Sequence, residues 1–202
     1  MVLEAKNIFF KYKGKSDYLI NDFSISIESN EVVGLIGPSG YGKSTSGKIL
    51  AGQEKAEKGC VLLDENRLPK KGYSPVQLIY QHPELAVNPK WKMRRTLEEV
   101  GEVDMELCTQ LGIKEMFLDR WPQELSGGEL QRFNVYRALR PETKFIVADE
   151  ISTMLDVITQ AQIWKVILSY ARKFEIGILA ITHNQNLADA VCTRQVFVGD
   201  MK

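Results

Sequence analysis

Residues 37 to 45 read Gly37-Pro38-Ser39-Gly40-Tyr41-Gly42-Lys43-Ser44-Thr45. This run fits the phosphate-loop pattern G-x-x-x-x-G-K-[ST], in which glycines let backbone amides close on a polyphosphate and the lysine reaches its outer phosphates. An almost continuous apolar run, Val32 to Ile36, precedes it, and Lys43 to Leu50 has the pattern of a helix. A buried strand, a glycine-rich loop and a helix in succession are the context that this motif requires. The stretch therefore predicts a phosphate-binding α/β core.

Strand and helix patterns alternate along the rest of the chain. Val2 to Phe10 shows a mixed alternation of apolar and polar residues and Phe23 to Glu28 a strict one, as expected of half-buried antiparallel strands. The predicted strands Lys144 to Ala148 and Ile176 to Thr182 instead contain nearly continuous apolar runs, as buried parallel strands do. We therefore predict a mainly parallel sheet with an antiparallel N-terminal β region. Further helices are predicted at 158–174 and 186–191, and a last strand at 195–198.

A middle segment, Pro83 to Arg140, lacks obvious strands and contains amphipathic stretches such as Thr96 to Leu111, which predicts a helix. At 202 residues and 44% hydrophobic composition, the chain is long enough for one well-buried core and too short for two ordinary domains. We expect a single domain over residues 1–202, with an inserted helical subdomain at roughly 83–140.

Bulk composition excludes several function classes. The 26 basic and 26 acidic residues cancel, so a sequence-independent grip on nucleic acid has no electrostatic basis. Apolar runs such as Ile176 to Ile181 are far shorter than the roughly 20 residues that span a bilayer, and the first residues do not resemble a signal peptide. The three cysteines, Cys60, Cys108 and Cys192, show no C-x-x-C spacing, so we expect reduced thiols in the cytosol.

A second motif, Leu125-Ser126-Gly127-Gly128-Glu129-Leu130-Gln131-Arg132, lies in the middle segment. Its S-x-x-E spacing predicts a capping box that starts a helix at Ser126. Two glycines at a capped helix start also expose amides and a positive dipole to an anion. Combined with the phosphate loop, this motif resembles the signature of ATP-binding cassette (ABC) ATPases. The resemblance implies a P-loop NTPase fold that binds ATP and Mg²⁺ and hydrolyses ATP.

Phosphoryl transfer to water needs charge neutralisation and a positioned water, which assigns tasks to the motifs. We expect Lys43 to act on the outer phosphates and the Ser44 hydroxyl to bind Mg²⁺. Asp149 ends a buried strand and is expected to reach Mg²⁺ through its water shell, with Glu150 beside it as the general base. The candidate nucleotide-binding residues of the loop are Ser39, Gly40, Gly42, Lys43, Ser44 and Thr45.

Other roles come from the resemblance. It implies that Gln81 contacts Mg²⁺ and water and that His183 contacts the γ-phosphate, both from positions that follow apolar strands. It also implies that an aromatic ring shortly after the first strand stacks on adenine. Tyr12 is the choice here, with Tyr18 and Phe10 as alternatives. Finally, it implies that three signature residues close on ATP held by a second cassette, namely Ser126, Gly127 and Gly128.

Two segments resemble the oligopeptide, dipeptide and nickel importer branch of the family: residues 81–89, Gln-His-Pro-Glu-Leu-Ala-Val-Asn-Pro, and residues 153–163. The likeness implies import of a peptide, nickel or a metal chelate. Expected partners are a second ABC ATPase subunit, identical or related, transmembrane permease subunits and, indirectly, an extracytoplasmic substrate-binding protein. The expected location is peripheral, on the cytoplasmic face of the membrane. Two departures from the usual pattern, Tyr41 in the loop and Ile151-Ser152 after Glu150, remove no catalytic group.

Two other functions compete with transport. A cytosolic ABC ATPase acting on DNA or ribosomes usually has a long coiled coil or two cassettes, and no sustained heptads separate the two motifs here. A degenerate partner that holds ATP without turnover would lack hydrolytic groups, and all the expected groups are present.

Overall fold

The structure is a computed structural model that describes residues 1–151 and 155–198. It contains two sheets. One is antiparallel with strand order β2-β1-β4-β5, and the other has five strands in the order β6-β7-β8-β3-β9. The antiparallel sheet consists of β1 (Val2–Phe10), β2 (Ile20–Glu28), β4 (Lys58–Leu63) and β5 (Asn66–Arg67). The second consists of β3 (Val32–Ile36), β6 (Val76–Ile79), β7 (Phe145–Asp149), β8 (Gly177–Thr182) and β9 (Arg194–Phe197).

Burial explains why the strands form as they do. Every residue of β3, β7 and β8 is buried, as expected for strands covered on both faces. In β2 the buried residues alternate with exposed ones over most of the strand, which fits a strand with one face toward water. The pairings of β7 with β8, β8 with β3 and β3 with β9 are parallel. The predicted α/β class, with a mainly parallel sheet and an antiparallel N-terminal region, is confirmed.

The helices are α1 (Lys43–Leu50), α2 (Met93–Glu98), α3 (Met105–Gln110), α4 (Gly127–Ala138), α5 (Val157–Phe174) and α6 (Gln185–Val191). Three 3₁₀ helices occupy Pro83–Ala86, Glu115–Phe117 and Pro122–Glu124. Within the ranges 1–151 and 155–198, no helix has the length and apolar character of a membrane span.

Backbone contacts divide the chain into two compact units. The first comprises Met1–Leu78, Pro141–Asp149 and the described residues from Ala171 onward. The second comprises Ile79–Arg140 and the described part of Glu150–Tyr170. The predicted helical subdomain, roughly 83 to 140, falls within the second unit. The single domain over residues 1–202, with this subdomain inserted in it, stays a prediction.

Strand register brings three chain segments to one edge of the parallel sheet. Ile36, the last residue of β3, pairs with Thr182, and Asp149, the last residue of β7, pairs with Ile181. Since the three strands are parallel, their carboxyl ends lie at the same edge. The phosphate loop follows β3, and His183 follows β8. Polar residues that leave this edge are therefore close to the loop, as in other open α/β sheets.

Some local predictions were wrong or incomplete. The stretch Thr96 to Leu111 is not one helix, because α2 ends at Glu98 and α3 begins at Met105. Gly101, with φ of 130°, and the N-cap Asp104, whose side chain accepts two backbone N–H bonds, separate them. The short strands β4 and β5 were not predicted. Their residues are exposed or half-buried, so they carry no alternating pattern.

Helix α1 packs directly on the parallel sheet at Gly47. A Cβ atom there would lie 2.7 Å from Ile181 Cδ1 and 2.9 Å from Val147 Cγ1. We therefore expect Gly47→Val to lower the free energy of unfolding by about 1–3 kcal/mol through overpacking, measured by urea denaturation. Lys48→Ala, on the half-buried side of the same helix, should change it by less than about 0.5 kcal/mol. Equal stability of the two variants would contradict this packing.

Candidate functional site

The phosphate loop has the backbone of an anion site. Gly40 and Gly42 have left-handed φ angles of 86° and 82°, which glycine adopts without strain. Gly42 is the N-cap of α1, no side chain caps this helix start, and its first turn has no acidic residue. A Cβ atom at Gly40 would meet nothing within 4 Å. The uncapped amides and the helix dipole therefore fit a polyphosphate.

Lys43 is buried, and its ammonium group lies against the loop that precedes it. The Nζ atom donates hydrogen bonds of 2.8 Å to the carbonyl oxygens of Gly37 and Pro38. A buried ammonium needs such acceptors to offset its lost hydration. The two carbonyls thus hold a positive charge beside the loop amides, where outer phosphates would be bound.

Ser44 and Asp149 form a pair of oxygen ligands. Ser44 Oγ donates to Asp149 Oδ1 at 2.9 Å, and Asp149 is only 5% exposed. A hydroxyl and one carboxylate suit Mg²⁺, which takes few protein ligands and completes its shell with phosphate and water. Among the described residues, no group of three or more His, Cys, Asp or Glu side chains could hold a metal ion by itself. The donor set therefore fits a nucleotide-bound magnesium rather than a closed structural metal site.

A second pair lies in the other unit. Gln81 Nε2 donates to Glu150 Oε2 at 3.1 Å, so the residue expected to contact Mg²⁺ and water lies against the predicted base. Glu150 has a left-handed φ of 46°, an uncommon conformation for a residue with a side chain. Strain of this kind persists where surrounding contacts impose it, and it is frequent at active sites.

His183 and Tyr12 belong to the first unit, which also contains the phosphate loop. His183 is exposed and directly follows β8, at the carboxyl edge of the sheet. The Tyr12 hydroxyl lies 3.1 Å from Thr45 Oγ1 in α1, and the Tyr12 ring packs edge-to-face on Phe10. Tyr12 is 52% exposed, which leaves much of its side chain accessible to the adenine ring of a nucleotide.

Tyr18 occupies a different place. It lines a cavity of about 580 Å³ beside the loop, together with Asn21 and Tyr41. Lys11 Nζ lies 5.3 Å from the centre of the Tyr18 ring. Tyr41, which departs from the usual loop pattern, therefore borders this cavity and is not buried in the core. Both Tyr12 and Tyr18 stay candidates for the adenine contact, with Tyr12 linked directly to the loop helix.

The signature motif forms the predicted capping box. Ser126 is the N-cap of α4, and its hydroxyl accepts a hydrogen bond from the Glu129 amide at 3.2 Å. In return, Glu129 Oε2 accepts from the Ser126 amide at 2.8 Å. This backbone hydrogen bond from Ser126, with that from its hydroxyl, lowers the pKa of Glu129. Gly128 approaches Leu155 so closely that a Cβ atom would lie 2.9 Å from Leu155 Cδ2.

Residues 153 and 154 of the segment that resembles the importer branch lie outside the described residues. The departure at Ser152 lies there too. From residue 155 onward the structure shows Asp156 capping α5, since its Oδ1 accepts from the amides of Ile158 and Thr159 at 3.1 and 3.0 Å. The helical prediction for this segment is confirmed from Val157.

The polar contacts made by α4 were not predicted from the sequence. Gln131 and Asn134 both donate to the carbonyl oxygen of Tyr80, and Arg132 donates to the carbonyl oxygen of Leu111. The available signal was polar residues on a helix face that is otherwise buried and apolar. Their partners lie more than 20 residues away, so the sequence did not identify them.

Known proteins match this chain over nearly its whole length. A protein-family model described as "ABC transporter" matches residues 20–153. The nickel import system ATP-binding protein NikE of Staphylococcus aureus strain bovine RF122 / ET3-1 is 31% identical over 212 aligned positions, which cover 98% of this chain and 87% of NikE. NikE of strain MRSA252 is 30% identical with the same coverage. The chain therefore belongs to the ABC transporter family and is an ATPase of that family. The predicted family and its likeness to nickel importers are confirmed.

Solved structures share the fold. A dimeric post-hydrolysis structure of the ATP-binding cassette MJ0796, bound to ADP and Pi, matches with a TM-score of 0.83 at 23% identity, covering 96% of this chain and 93% of that one. The ATP-binding subunit of an ABC transporter matches with a TM-score of 0.80 at 20% identity, covering 98% and 85%. These likenesses agree with the two sheets described above.

The capping box should give the signature helix a pH-dependent stability. Because the pKa of Glu129 is lowered from 4.5, the ionised carboxylate stabilises the folded chain above that value. This stabilisation is lost as the pH falls through the lowered pKa. Glu129→Gln keeps a capping side chain without the charge. We expect the Glu129→Gln variant to be less stable than the unsubstituted chain at neutral pH. The difference should be only about 0.5 kcal/mol, because solvent screens the charge at this exposed site. Urea unfolding at neutral and acid pH measures the difference, which should vanish in acid. A constant difference would contradict the assignment.

Proposed function

We propose that this chain hydrolyses ATP with Mg²⁺ to drive import of a small solute, namely a peptide, nickel or a metal chelate, through a membrane ABC transporter. Consecutive residues Asp149 and Glu150 carry the proposal. Asp149 is hydrogen-bonded to the hydroxyl of Ser44 in the phosphate loop, and Glu150 is hydrogen-bonded to the side-chain amide of Gln81. A carboxylate suited to a metal and a carboxylate suited to a base thus follow one another in the chain at the end of β7.

Phosphate binding is assigned to the loop. The amides of residues 39 to 45 and the start of α1 would hold the phosphates, because no side chain competes for this helix end. Lys43 would exchange its bonds to Gly37 and Pro38 for the outer phosphates. Tyr12 would stack on adenine, supported by its contact with Thr45.

The metal and water are assigned to four side chains. Ser44 and Asp149 would hold Mg²⁺, with Gln81 as a further oxygen ligand, and the metal would neutralise developing charge on the phosphates. Glu150 would accept a proton from the attacking water at one of its carboxylate oxygens, and Gln81 would orient that carboxylate through its hydrogen bond. His183 would contact the γ-phosphate from the end of β8.

A second cassette would complete the site. The capped start of α4 presents Gly127, where a Cβ atom would meet nothing within 4 Å, so its backbone is open to an anion. Ser126, Gly127 and Gly128 would close on ATP held by the partner cassette, identical or related. The dimeric structures of MJ0796 support such a pair.

The transport role is supported by the relatives. The NikE proteins are named for nickel import, and the likeness covers almost the whole chain. We propose permease subunits as the direct membrane partners, a substrate-binding protein as an indirect one, and a peripheral position on the cytoplasmic face. Closed and open cassette pairs would alternate because ATP binds one state better.

Hydrolysis is tested by Glu150→Gln, which keeps the size of the side chain and removes the base. We expect turnover to fall by about 10² to 10⁴ while ATP binding persists. Lys43→Ala should instead weaken ATP binding itself. Phosphate release and calorimetry measure the two quantities on the same preparations. Turnover by Glu150→Gln equal to that of the unsubstituted chain would overturn the assigned base.

Import is tested by co-expressing the chain with candidate permease and binding-protein subunits of its organism and reconstituting them in proteoliposomes. We expect ATP-dependent uptake of radioactive nickel or of a peptide, and none when Glu150→Gln replaces the unsubstituted chain. ATP hydrolysis without uptake of nickel, nickel chelate or peptide would contradict the proposed cargo class and leave the ATPase assignment intact.

A further inference from the structure

Two buried amide side chains of α4 donate to one backbone carbonyl. Gln131 Nε2 and Asn134 Nδ2 each lie 3.2 Å from the carbonyl oxygen of Tyr80. Both side chains are only 3% exposed. Residues three apart share a face of a helix, and a carbonyl oxygen has two lone pairs, so both donors can bind it together. We call this arrangement the amide clamp.

Gln131 is polar at a place where an apolar side chain would be easier to bury. Its Oε1 atom is buried and has no hydrogen-bond partner in the part of the chain that the structure describes. A buried oxygen left unpaired destabilises a fold. The side-chain amide of Gln131 donates a hydrogen bond to Tyr80, which a methionine of similar size would not make. That bond accounts for the polarity of this position better than packing does.

Holding the Tyr80 carbonyl fixes the position of the next residue, Gln81. The oxygen of Tyr80 and the nitrogen of Gln81 belong to the same planar peptide group. Gln81 in turn donates to Glu150, whose left-handed backbone depends on surrounding contacts to persist. A continuous series of contacts therefore runs from α4 through Tyr80 and Gln81 to Glu150, all within the second compact unit.

We propose that Gln131 and Asn134 are positioning residues for hydrolysis, which hold Gln81 and Glu150 in place through the Tyr80 carbonyl. Helix α4 begins at the signature residue Ser126, so one rigid element carries both the signature and the amide clamp. A displacement of α4 would reach the base through these contacts. The inference rests on the proposed roles of Gln81 and Glu150.

The test uses Gln131→Met, Asn134→Leu and the two together, which remove the donors and keep side chains of similar size. Each single variant leaves one donor on Tyr80. We expect kcat for ATP to fall about threefold in each and more than about tenfold in the double variant, since small misplacements of catalytic groups slow reactions strongly. KM for ATP should stay unchanged, because the phosphate loop is intact. The loss should not exceed that caused by Glu150→Gln.

A matched control lies on the same helix. The Tyr136 hydroxyl is buried and accepts a hydrogen bond from the Asp104 amide at 2.7 Å, away from Tyr80. Tyr136→Phe should therefore lower the melting temperature and leave kcat unchanged. In a Glu150→Gln background, the double clamp variant should cause a smaller further loss than in the unsubstituted chain, because the positioning of Glu150 acts through the group already removed.

Several results would overturn the inference. They are unchanged kcat in a folded double variant, an equal loss of kcat in Tyr136→Phe, and a full additional loss in the Glu150→Gln background. If the double variant does not fold, Gln131→Met still tests the amide clamp, because it removes an unpaired oxygen and should fold; unchanged kcat in it would overturn the role of Gln131. An unsubstituted chain that binds ATP and shows no turnover, alone or with its partner subunits, would overturn the proposed function instead.

Discussion

Parallel pairing of β3, β8 and β7 is the constraint on which the rest of this structure depends. The register aligns Ile36 with Thr182 and Asp149 with Ile181, so three buried strands end at one edge. Apolar side chains fill the strands, and the chain turns polar only where they end. The hydrogen bond between Ser44 and Asp149 results from that register together with the close packing of α1 on the sheet at Gly47.

The carboxylates proposed for metal binding and for proton transfer, Asp149 and Glu150, are held by separate contacts. Asp149 belongs to the unit that contains the parallel sheet, whereas the contact of Glu150 with Gln81 belongs to the unit that contains α4. Two neighbouring residues of the chain are therefore held by different sets of contacts. A protein that couples nucleotide binding to movement can use this division, because the hydrogen bond between Ser44 and Asp149 does not involve the contacts that hold Glu150. The signature helix α4 and the proposed base Glu150 belong to the same unit, in which the amide clamp joins α4 to Tyr80, the residue before Gln81.

Much of the fold could be predicted because its strongest signals are local. Continuous apolar runs indicated β3, β7 and β8, and the S-x-x-E spacing indicated the capped start of α4. The break between α2 and α3 was missed because an amphipathic pattern continues across it, although Gly101 and Asp104 interrupt the backbone.

The candidate site was less predictable from sequence. The phosphate loop and the pair Asp149-Glu150 have distinctive spacing, but Gln131 and Asn134 contact a carbonyl 51 and 54 residues away in the chain. Contacts of that range depend on how helices and loops pack, which a single sequence does not reveal. Roles for Gln81, His183 and Tyr12 came from family resemblance.

The most direct measurement is calorimetric titration of the purified chain with ATP, in the presence and absence of magnesium, for the unsubstituted protein and for Ser44→Ala. We predict one nucleotide site per chain, tighter binding with magnesium, and loss of that magnesium effect in Ser44→Ala while metal-free binding persists. No heat of binding with magnesium and ATP, or a magnesium effect that survives in Ser44→Ala, would contradict the proposed site.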